Sequence, residues 1–196
     1  MKEMDFYFDF LSPFAYLARY RLVQIAEKHG VSVVYKPIDL AKAKLAIGNN
    51  GPTNRAMPIK LAYLMTDLQR WADQYDVPFE VVKNHNSQLL NIGMFFARDG
   101  EQTARYVEIA FRLTWGAGGA PDDETLLRQL AREMGWNETE FLAFLQSPEA
   151  VERYEASTQE AVARHVFGVP MTVIGKEMWW GNDRLVFVDD YLSRVK

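Results

Sequence analysis

The chain has 196 residues, enough for one large domain or for one domain that carries an insertion. Its formal net charge is −4 and no basic block occurs, which argues against nucleic acid as the main partner. No apolar run approaches the roughly 20 residues that a membrane-spanning helix needs, and no signal-peptide pattern precedes the first strand. We therefore expect a cytoplasmic protein without a membrane partner.

The sequence contains no cysteine, which excludes disulfide bonds, thiolate metal sites and a cysteine nucleophile. If thiol chemistry takes place, the thiol must therefore come from a ligand. The three histidines, His29, His85 and His165, lack the spacing of metal ligands, and no metal site is predicted.

The stretch that leads into Ser12-Pro13 gives the first functional indication. A strand is predicted from Asp5 to Phe10, aromatic on both alternating faces, which is typical of a strand buried on both sides. Ser12 and Pro13 then predict the N-cap and first residue of a helix that ends at Gly30. A hydroxyl at the end of a strand and beside free helix N–H groups lies where open α/β sheets bind ligands. A simple helix cap explains the same pair, so Ser12 is either a cap or a catalytic group.

The remaining pattern predicts a thioredoxin-like α/β fold. Further strands are predicted at 31–37, 171–174 and 177–180, the last two as a hairpin. The chain between Leu40 and Ala163 is almost wholly helical in its pattern. The order is β-α-β, a helical block, then α-β-β-α, as in a thioredoxin-like fold with a large helical insertion. Val169-Pro170 stands just before the third strand, where that fold has a cis proline, so we predict a cis bond.

Several stretches closely resemble 2-hydroxychromene-2-carboxylate isomerases, and the likeness extends over essentially the whole chain. They are FYFDFLSP at 6–13, IGN at 47–49, GP at 51–52 followed by NR at 54–55, DLQRW at 67–71, VFGVP at 166–170 and MWWGNDRL at 178–185. These isomerases are glutathione-dependent relatives of kappa-class glutathione transferases and of DsbA-type disulfide oxidoreductases. With the strand order, the resemblance implies a thioredoxin-like domain at 1–39 and 164–196 and an inserted helical domain at 40–163.

The resemblance also implies a glutathione site. Ser12 stands where the oxidoreductases place a redox cysteine, and it would hydrogen-bond the glutathione sulfur and favour the thiolate. The backbone of Val169, before Pro170, would pair with the cysteinyl unit as an added strand does. The γ-glutamyl end would be held by Trp180, Gly181, Asn182 and Asp183. Asn182 and Asp183 are also ordinary helix starters, so that assignment has a purely structural alternative.

The substrate side of the site is less specific. Lys44, Asn54 and Arg55 are candidates to contact a substrate carboxylate or the tripeptide, although surface cations are usually only solvated. Tyr35 either lines an aromatic pocket or packs in the core. Asp9 either orients Ser12 or Arg55 or is a paired core acid. The walls of an aromatic slot are predicted to be Phe14, Trp71 and Trp180.

The resemblance implies interconversion of 2-hydroxychromene-2-carboxylate and trans-o-hydroxybenzylidenepyruvate in aromatic (naphthalene-type) catabolism. Thiolate addition, bond rotation and elimination would make glutathione a cofactor, and the small aromatic carboxylate would be the substrate. A homodimer is implied in the same way. Two alternatives stay open: a kappa-like glutathione transferase or peroxidase acting on another electrophile, and a peptide-binding or chaperone-like module that uses the proline groove.

Overall fold

The computed structural model describes residues 3–84 and 86–195, so His85 lies outside the described residues. Within these ranges the strands form one mixed sheet in the order β2-β1-β3-β4. β1 pairs parallel with β2, while the β1–β3 and β3–β4 pairs are antiparallel. The strands are β1 (Glu3–Phe8), β2 (Ser32–Pro37), β3 (Met171–Ile174) and β4 (Glu177–Trp180).

Seven helices of the described chain lie between β2 and β3, which confirms the predicted helical insertion in a thioredoxin-like fold. They are α2 (Leu40–Ala46), α3 (Pro58–Tyr75), α4 (Gln88–Gly93), α5 (Gly100–Leu113), α6 (Glu124–Met134), α7 (Glu138–Leu145) and α8 (Pro148–Ala163). The helices outside the insertion are α1 (Pro13–His29) and α9 (Leu185–Arg194). Short 3₁₀ turns cover Asn54–Ala56, Met94–Phe96 and Asn182–Arg184. In the described part of the chain, no helix combines the length and apolarity that crossing a bilayer requires.

The boundaries of α1 follow its local chemistry. Ser12 has extended backbone angles and its side chain caps the helix, while Pro13 takes the first helical position, where no N–H is needed. Gly30 ends the helix at a φ of 62°, a left-handed conformation that glycine adopts without a steric penalty. Both boundaries are therefore as predicted.

The prediction for the end of β1 is wrong by two residues. The strand ends at Phe8, and Asp9 begins a turn instead of continuing the strand. The carbonyl of Asp9 accepts the Ser12 N–H at 2.8 Å, and its carboxylate accepts the Leu11 N–H at 2.9 Å. The chain bends here because the N–H groups of Leu11 and Ser12 bond to Asp9 and not to a neighbouring strand.

Two hydrophobic clusters of the described residues join the sheet to the insertion, and the larger one contains Phe8 and Phe10. Phe8 and Phe10 both contact Phe111 of α5, at ring-centroid distances of 5.7 and 4.6 Å. All three rings are buried, so the insertion packs as part of the same core as β1. The division into domains at 39/40 and 163/164 stays a prediction.

Candidate active site

The sheet register brings the ends of three strands to one edge. Tyr7 of β1 lies opposite Met171 of β3, and Met171 lies opposite Trp180 of β4. The segments just beyond these pairs therefore meet: the Ser12 turn, the Val169-Pro170 pair and Gly181. The Val169-Pro170 bond is cis, as predicted, and the Gly181 N–H donates to the Pro170 carbonyl at 3.0 Å.

Ser12 keeps one hydrogen-bonding function free. Its Oγ accepts the Ala15 N–H at 3.2 Å, as an N-cap does, and the residue is 9% exposed. Over residues 3–84 and 86–195, no acceptor binds the hydroxyl hydrogen of Ser12. A hydroxyl can donate one hydrogen bond and can also accept hydrogen bonds. The cap uses Ser12 Oγ as an acceptor, so its O–H group remains available to donate to a ligand.

The turn that presents Ser12 is held by the insertion. The Phe10 N–H donates to Asn91 Oδ1 at 3.2 Å, and Trp115 Nε1 donates to the Phe10 carbonyl at 2.8 Å. Asn91 and Trp115 are buried, so water does not compete for these bonds. Our sequence reasoning missed both residues. The available signal for Asn91 was its position as a polar residue within the otherwise apolar run 89–96.

Asp9 is neither an ion-pair partner nor a direct contact of the Ser12 side chain. It is buried, and in the described residues no lysine, arginine or histidine pairs with it. Burial raises the pKa of its carboxyl group, whereas hydrogen bonds from Ser87, Asn91 and two backbone N–H groups oppose that rise. Among the described residues, Asp9 and Arg55 make no hydrogen bond or ion pair with each other, so the alternative in which Asp9 orients Arg55 stays a prediction.

The segment before Pro170 offers an unpaired backbone. The N–H and C=O groups of Val169 make no hydrogen bond with the described part of the chain, and the residue lies outside the β3 ladder. Free donor and acceptor groups next to a strand are the groups that an extended peptide pairs with. Val169 therefore has the geometry that peptide-like ligands use.

An exposed aromatic pair borders this backbone. The ring centroids of Phe167 and Trp180 lie 5.3 Å apart in an edge-to-face arrangement, and 54% of Trp180 is exposed. A Cβ atom on Gly168 would lie 2.7 Å from Trp180 Nε1, so the observed position of the indole depends on glycine here. The pair forms an apolar surface beside the free Val169 backbone.

Asn182 and Asp183 differ in exposure. Asn182 is 2% exposed, and its Oδ1 accepts the Tyr75 hydroxyl at 3.0 Å. The Asp183 carboxylate is half exposed and pairs with Arg184 at 2.6 Å. Gly181 has a φ of 106°, and a Cβ there would lie 2.8 Å from Asp183 Oδ1. Asp183 thus presents a carboxylate at this edge, whereas the side chain of Asn182 is enclosed.

Tyr35 packs in the core. Its ring contacts Phe6 and Phe8 edge-to-face, both at 6.1 Å, and the residue is 6% exposed. Burial raises the pKa of its hydroxyl, and Arg19 lies close enough to oppose that rise. This placement favours the packing alternative over a substrate contact.

The other predicted substrate residues lie on the insertion. Lys44 is half-buried in the last turn of α2, and Asn54 and Arg55 are exposed in a 3₁₀ turn. Within the described chain they make no hydrogen bond with the Ser12 turn. Trp71 of α3 packs against Tyr75, with ring centroids 5.5 Å apart, and α3 packs against α1.

The chain matches the family model described as a DSBA-like thioredoxin domain over residues 3–193. It is 47% identical to a 2-hydroxychromene-2-carboxylate isomerase from Pseudomonas putida, over 98% of this chain and 95% of that protein. A solved structure of 2-hydroxychromene-2-carboxylate isomerase superimposes with a TM-score of 0.96 at 47% identity, covering 98% of this chain and 95% of that one.

A shorter match joins the chain to a protein named glutathione S-transferase kappa 1 from Caenorhabditis elegans. The two are 35% identical over 80 residues, 40% of this chain and 34% of that protein. The matches over nearly full length decide the assignment, because family model, identity and superposition agree. The chain belongs to the 2-hydroxychromene-2-carboxylate isomerase family of DSBA-like thioredoxin domains.

Proposed function

We propose that this protein is a glutathione-dependent isomerase that interconverts 2-hydroxychromene-2-carboxylate and trans-o-hydroxybenzylidenepyruvate, a step in aromatic catabolism. The observation that carries the proposal is the 47% identity over 98% of the chain to a protein of that name. The free hydroxyl donor of Ser12 and the free backbone of Val169, brought to one edge of the sheet, support it.

The residues at this edge fit a peptide-like thiol cofactor. The unpaired N–H and C=O of Val169, beside Pro170, suit the cysteinyl unit of glutathione, since they can pair as a strand does. The exposed carboxylate of Asp183 suits the γ-glutamyl ammonium, and the helix start after Gly181 suits its carboxylate. We assign Trp180 as a wall of this subsite, and Asn182 to its support, since its side chain is enclosed.

When bound, glutathione would supply a thiolate that adds reversibly to the conjugated double bond of the substrate, converting it to a single bond that can rotate before the thiolate is eliminated. The protein has to favour the thiolate over the thiol. Ser12 can donate its hydroxyl hydrogen to the sulfur, and the N-terminus of α1 favours negative charge. A charge-assisted hydrogen bond of this kind is about twice as strong as a neutral one.

Substrate recognition requires an apolar slot and a cation for the carboxylate. We propose Phe14, Trp71 and Trp180 as walls of the slot, and Lys44 and Arg55, with Asn54, as carboxylate ligands. Both cations are free of ion pairs within the described residues, so they remain available. A carboxylate is held best by such charge-assisted donors.

We also propose a cytoplasmic homodimer. The proposed cofactor must carry a reduced thiol, and thiols are kept reduced in the cytoplasm. Large apolar side chains are exposed on α2 and α3, among them Leu45, Ile59 and Tyr63. Exposed apolar surface of this kind is typical of protein–protein contact sites. Sedimentation velocity of the purified protein tests the dimer.

An ultraviolet assay with the chromene carboxylate tests the function. The proposal predicts turnover with substoichiometric glutathione and no loss of free thiol. The kappa-class match favours one alternative, a transferase acting on another electrophile, which would consume glutathione stoichiometrically. A peptide-binding module would show neither behaviour. Absence of isomerisation at saturating glutathione would contradict the proposal.

A further inference from the structure

The carboxylate of Asp9 collects hydrogen bonds from three parts of the chain. Oδ1 accepts the Leu11 N–H at 2.9 Å, the Ser87 hydroxyl at 2.5 Å and the Asn91 amide at 2.9 Å. Oδ2 lies 3.4 Å from the N–H of Leu40. Asp9 is 4% exposed, so these protein groups replace water around its charge.

The surrounding groups suit the ionised form of this carboxyl. The N–H groups of Leu11 and Leu40 can only donate. Asn91 also turns its NH₂ toward Asp9, because its Oδ1 accepts the Phe10 N–H at 3.2 Å. Among these four groups, only the Ser87 hydroxyl could accept a hydrogen bond from a neutral carboxylic acid. Oδ1 is therefore the acceptor of three donors, while Oδ2 faces the more distant N–H of Leu40.

Each of these donors lies in a segment that either contains a residue of the proposed site or contacts the turn that presents Ser12. Leu11 precedes Ser12 in the turn that presents the hydroxyl. Leu40 is the first residue of α2, whose last turn carries Lys44. Ser87 and Asn91 lie at the start of α4, and Asn91 also holds Phe10. One buried side chain thus connects the thiol-binding turn with the proposed substrate helix.

We propose that Asp9 is a positioning residue. Its carboxylate holds the Ser12 turn and the start of α2 in a fixed relation, so that the Ser12 hydroxyl and Lys44, the proposed ligand of the substrate carboxylate, are correctly placed. The inference rests on the proposed function of the site. Asp9 contacts neither Ser12 Oγ nor the residues proposed for the ligands, so its effect passes through the backbone of Leu11 and Leu40. Small displacements of positioned groups lower rates severely, on the order of 100-fold per Å.

The test is Asp9→Asn, which preserves size and changes the hydrogen bonding. If the amide oxygen of the variant faces the Leu11, Ser87 and Asn91 donors, its NH₂ group lies against the N–H of Leu40, and two donors then face each other. The amide oxygen is also a weaker acceptor than a carboxylate oxygen. We expect faster amide exchange at Leu11 and Leu40, measured by NMR on the protein without glutathione. We also expect kcat/KM to fall by about 10- to 100-fold.

The matched control is Asn137→Ala, which removes the N-cap of α7, a side chain that accepts the Thr139 and Glu140 N–H groups. It should destabilise the fold but leave exchange at Leu11 and Leu40, and kcat/KM, unchanged. Ser87→Ala, which removes one donor and keeps the carboxylate, should shift both readouts in the same direction as Asp9→Asn, by less.

Unchanged exchange and kcat/KM in a folded Asp9→Asn variant would overturn the inference. If that variant does not fold, unchanged readouts in Ser87→Ala overturn it. The exchange measurement does not depend on enzyme activity. Unchanged exchange in the variant would contradict the role of Asp9, whereas an inactive wild-type protein would contradict the proposed function, so the two failures can be distinguished.

Discussion

The hydroxyl of Tyr75, in α3 of the insertion, donates to Oδ1 of Asn182, just after β4, at 3.0 Å. The two residues are far apart in sequence, and Asn182 is buried at the edge where the glutathione site is proposed. Its Nδ2 has no hydrogen-bond partner among the described residues. The single bond from Tyr75 therefore fixes the orientation of this amide.

Tyr75→Phe should destabilise the protein and weaken glutathione binding. The change leaves the buried Oδ1 of Asn182 without a donor, which costs about 1–3 kcal/mol in the free energy of unfolding. Denaturant titration measures this loss, and calorimetry measures the dissociation constant of glutathione. Tyr63→Phe is the control, since Tyr63 is exposed on the same helix. Equal behaviour of the two variants would show that the Tyr75–Asn182 bond has no function.

Ser12→Ala separates the cap from the catalyst. Loss of the cap alone costs about 0.5–2 kcal/mol of stability and leaves turnover nearly intact. Loss of a hydrogen bond to a thiolate should raise the pKa of the bound thiol and lower turnover at neutral pH by about 10- to 100-fold. Part of that loss should return at higher pH, where the thiol ionises without help.

Ser147→Ala is the matched control, because Ser147 caps α8 with the same geometry, at 3.2 Å from the Ala150 N–H, and also precedes a proline. It should change stability only. Full activity of Ser12→Ala at neutral pH, with a normal bound thiolate, would show that Ser12 is a cap and that the proposed mechanism is wrong.

Gly168→Ala should weaken glutathione binding more than it weakens the fold. A Cβ would lie 2.7 Å from Trp180 Nε1, so the indole has to move, and its exposure allows it to do so. We expect about a tenfold rise in the dissociation constant, equivalent to about 1.4 kcal/mol. Gly100→Ala is the control, since nothing lies within 4 Å of a Cβ there. Unchanged affinity in Gly168→Ala would remove Trp180 from the proposed site.

Asp189 should contribute a pH-dependent part of the stability. Lys28 and His29, both at 2.7 Å, and Arg21 at 3.0 Å lower the pKa of its carboxyl group and join α1 to α9. A lowered folded-state pKa stabilises the protein above the unfolded-state value of about 3.9, and the contribution is lost as the pH falls through the folded-state value.

Asp189→Asn should therefore lower the free energy of unfolding at neutral pH by about 1 kcal/mol, in the range of partly exposed ion pairs. The difference from wild type should shrink below about pH 4 as the wild-type carboxylate takes up a proton. Urea titrations across this pH range measure it. A difference that stays constant with pH would show that packing, not charge, accounts for the effect.

Local chemistry determined the parts of this protein that the sequence predicted correctly. A serine before a proline set the start of α1, Gly30 set its end, and Gly175 formed the hairpin between β3 and β4 at a φ of 61°. Each of these depends on a few neighbouring residues with special backbone preferences. The order of strands along the chain and the long helical block followed from hydrophobic periodicity together with glycine and proline signals. Their assignment to one fold followed from the resemblance of that order to the thioredoxin-like order.

Tertiary structure decided what surrounds Ser12. The end of β1 at Phe8, the role of Asp9 as an acceptor of four donors, and the packing of Tyr35 depend on partners distant in sequence. Asn91 lies 82 residues after Asp9 in the sequence, yet its amide lies 2.9 Å from that carboxylate. No local periodicity encodes such a contact, because it forms only when the helices of the insertion pack against the end of β1.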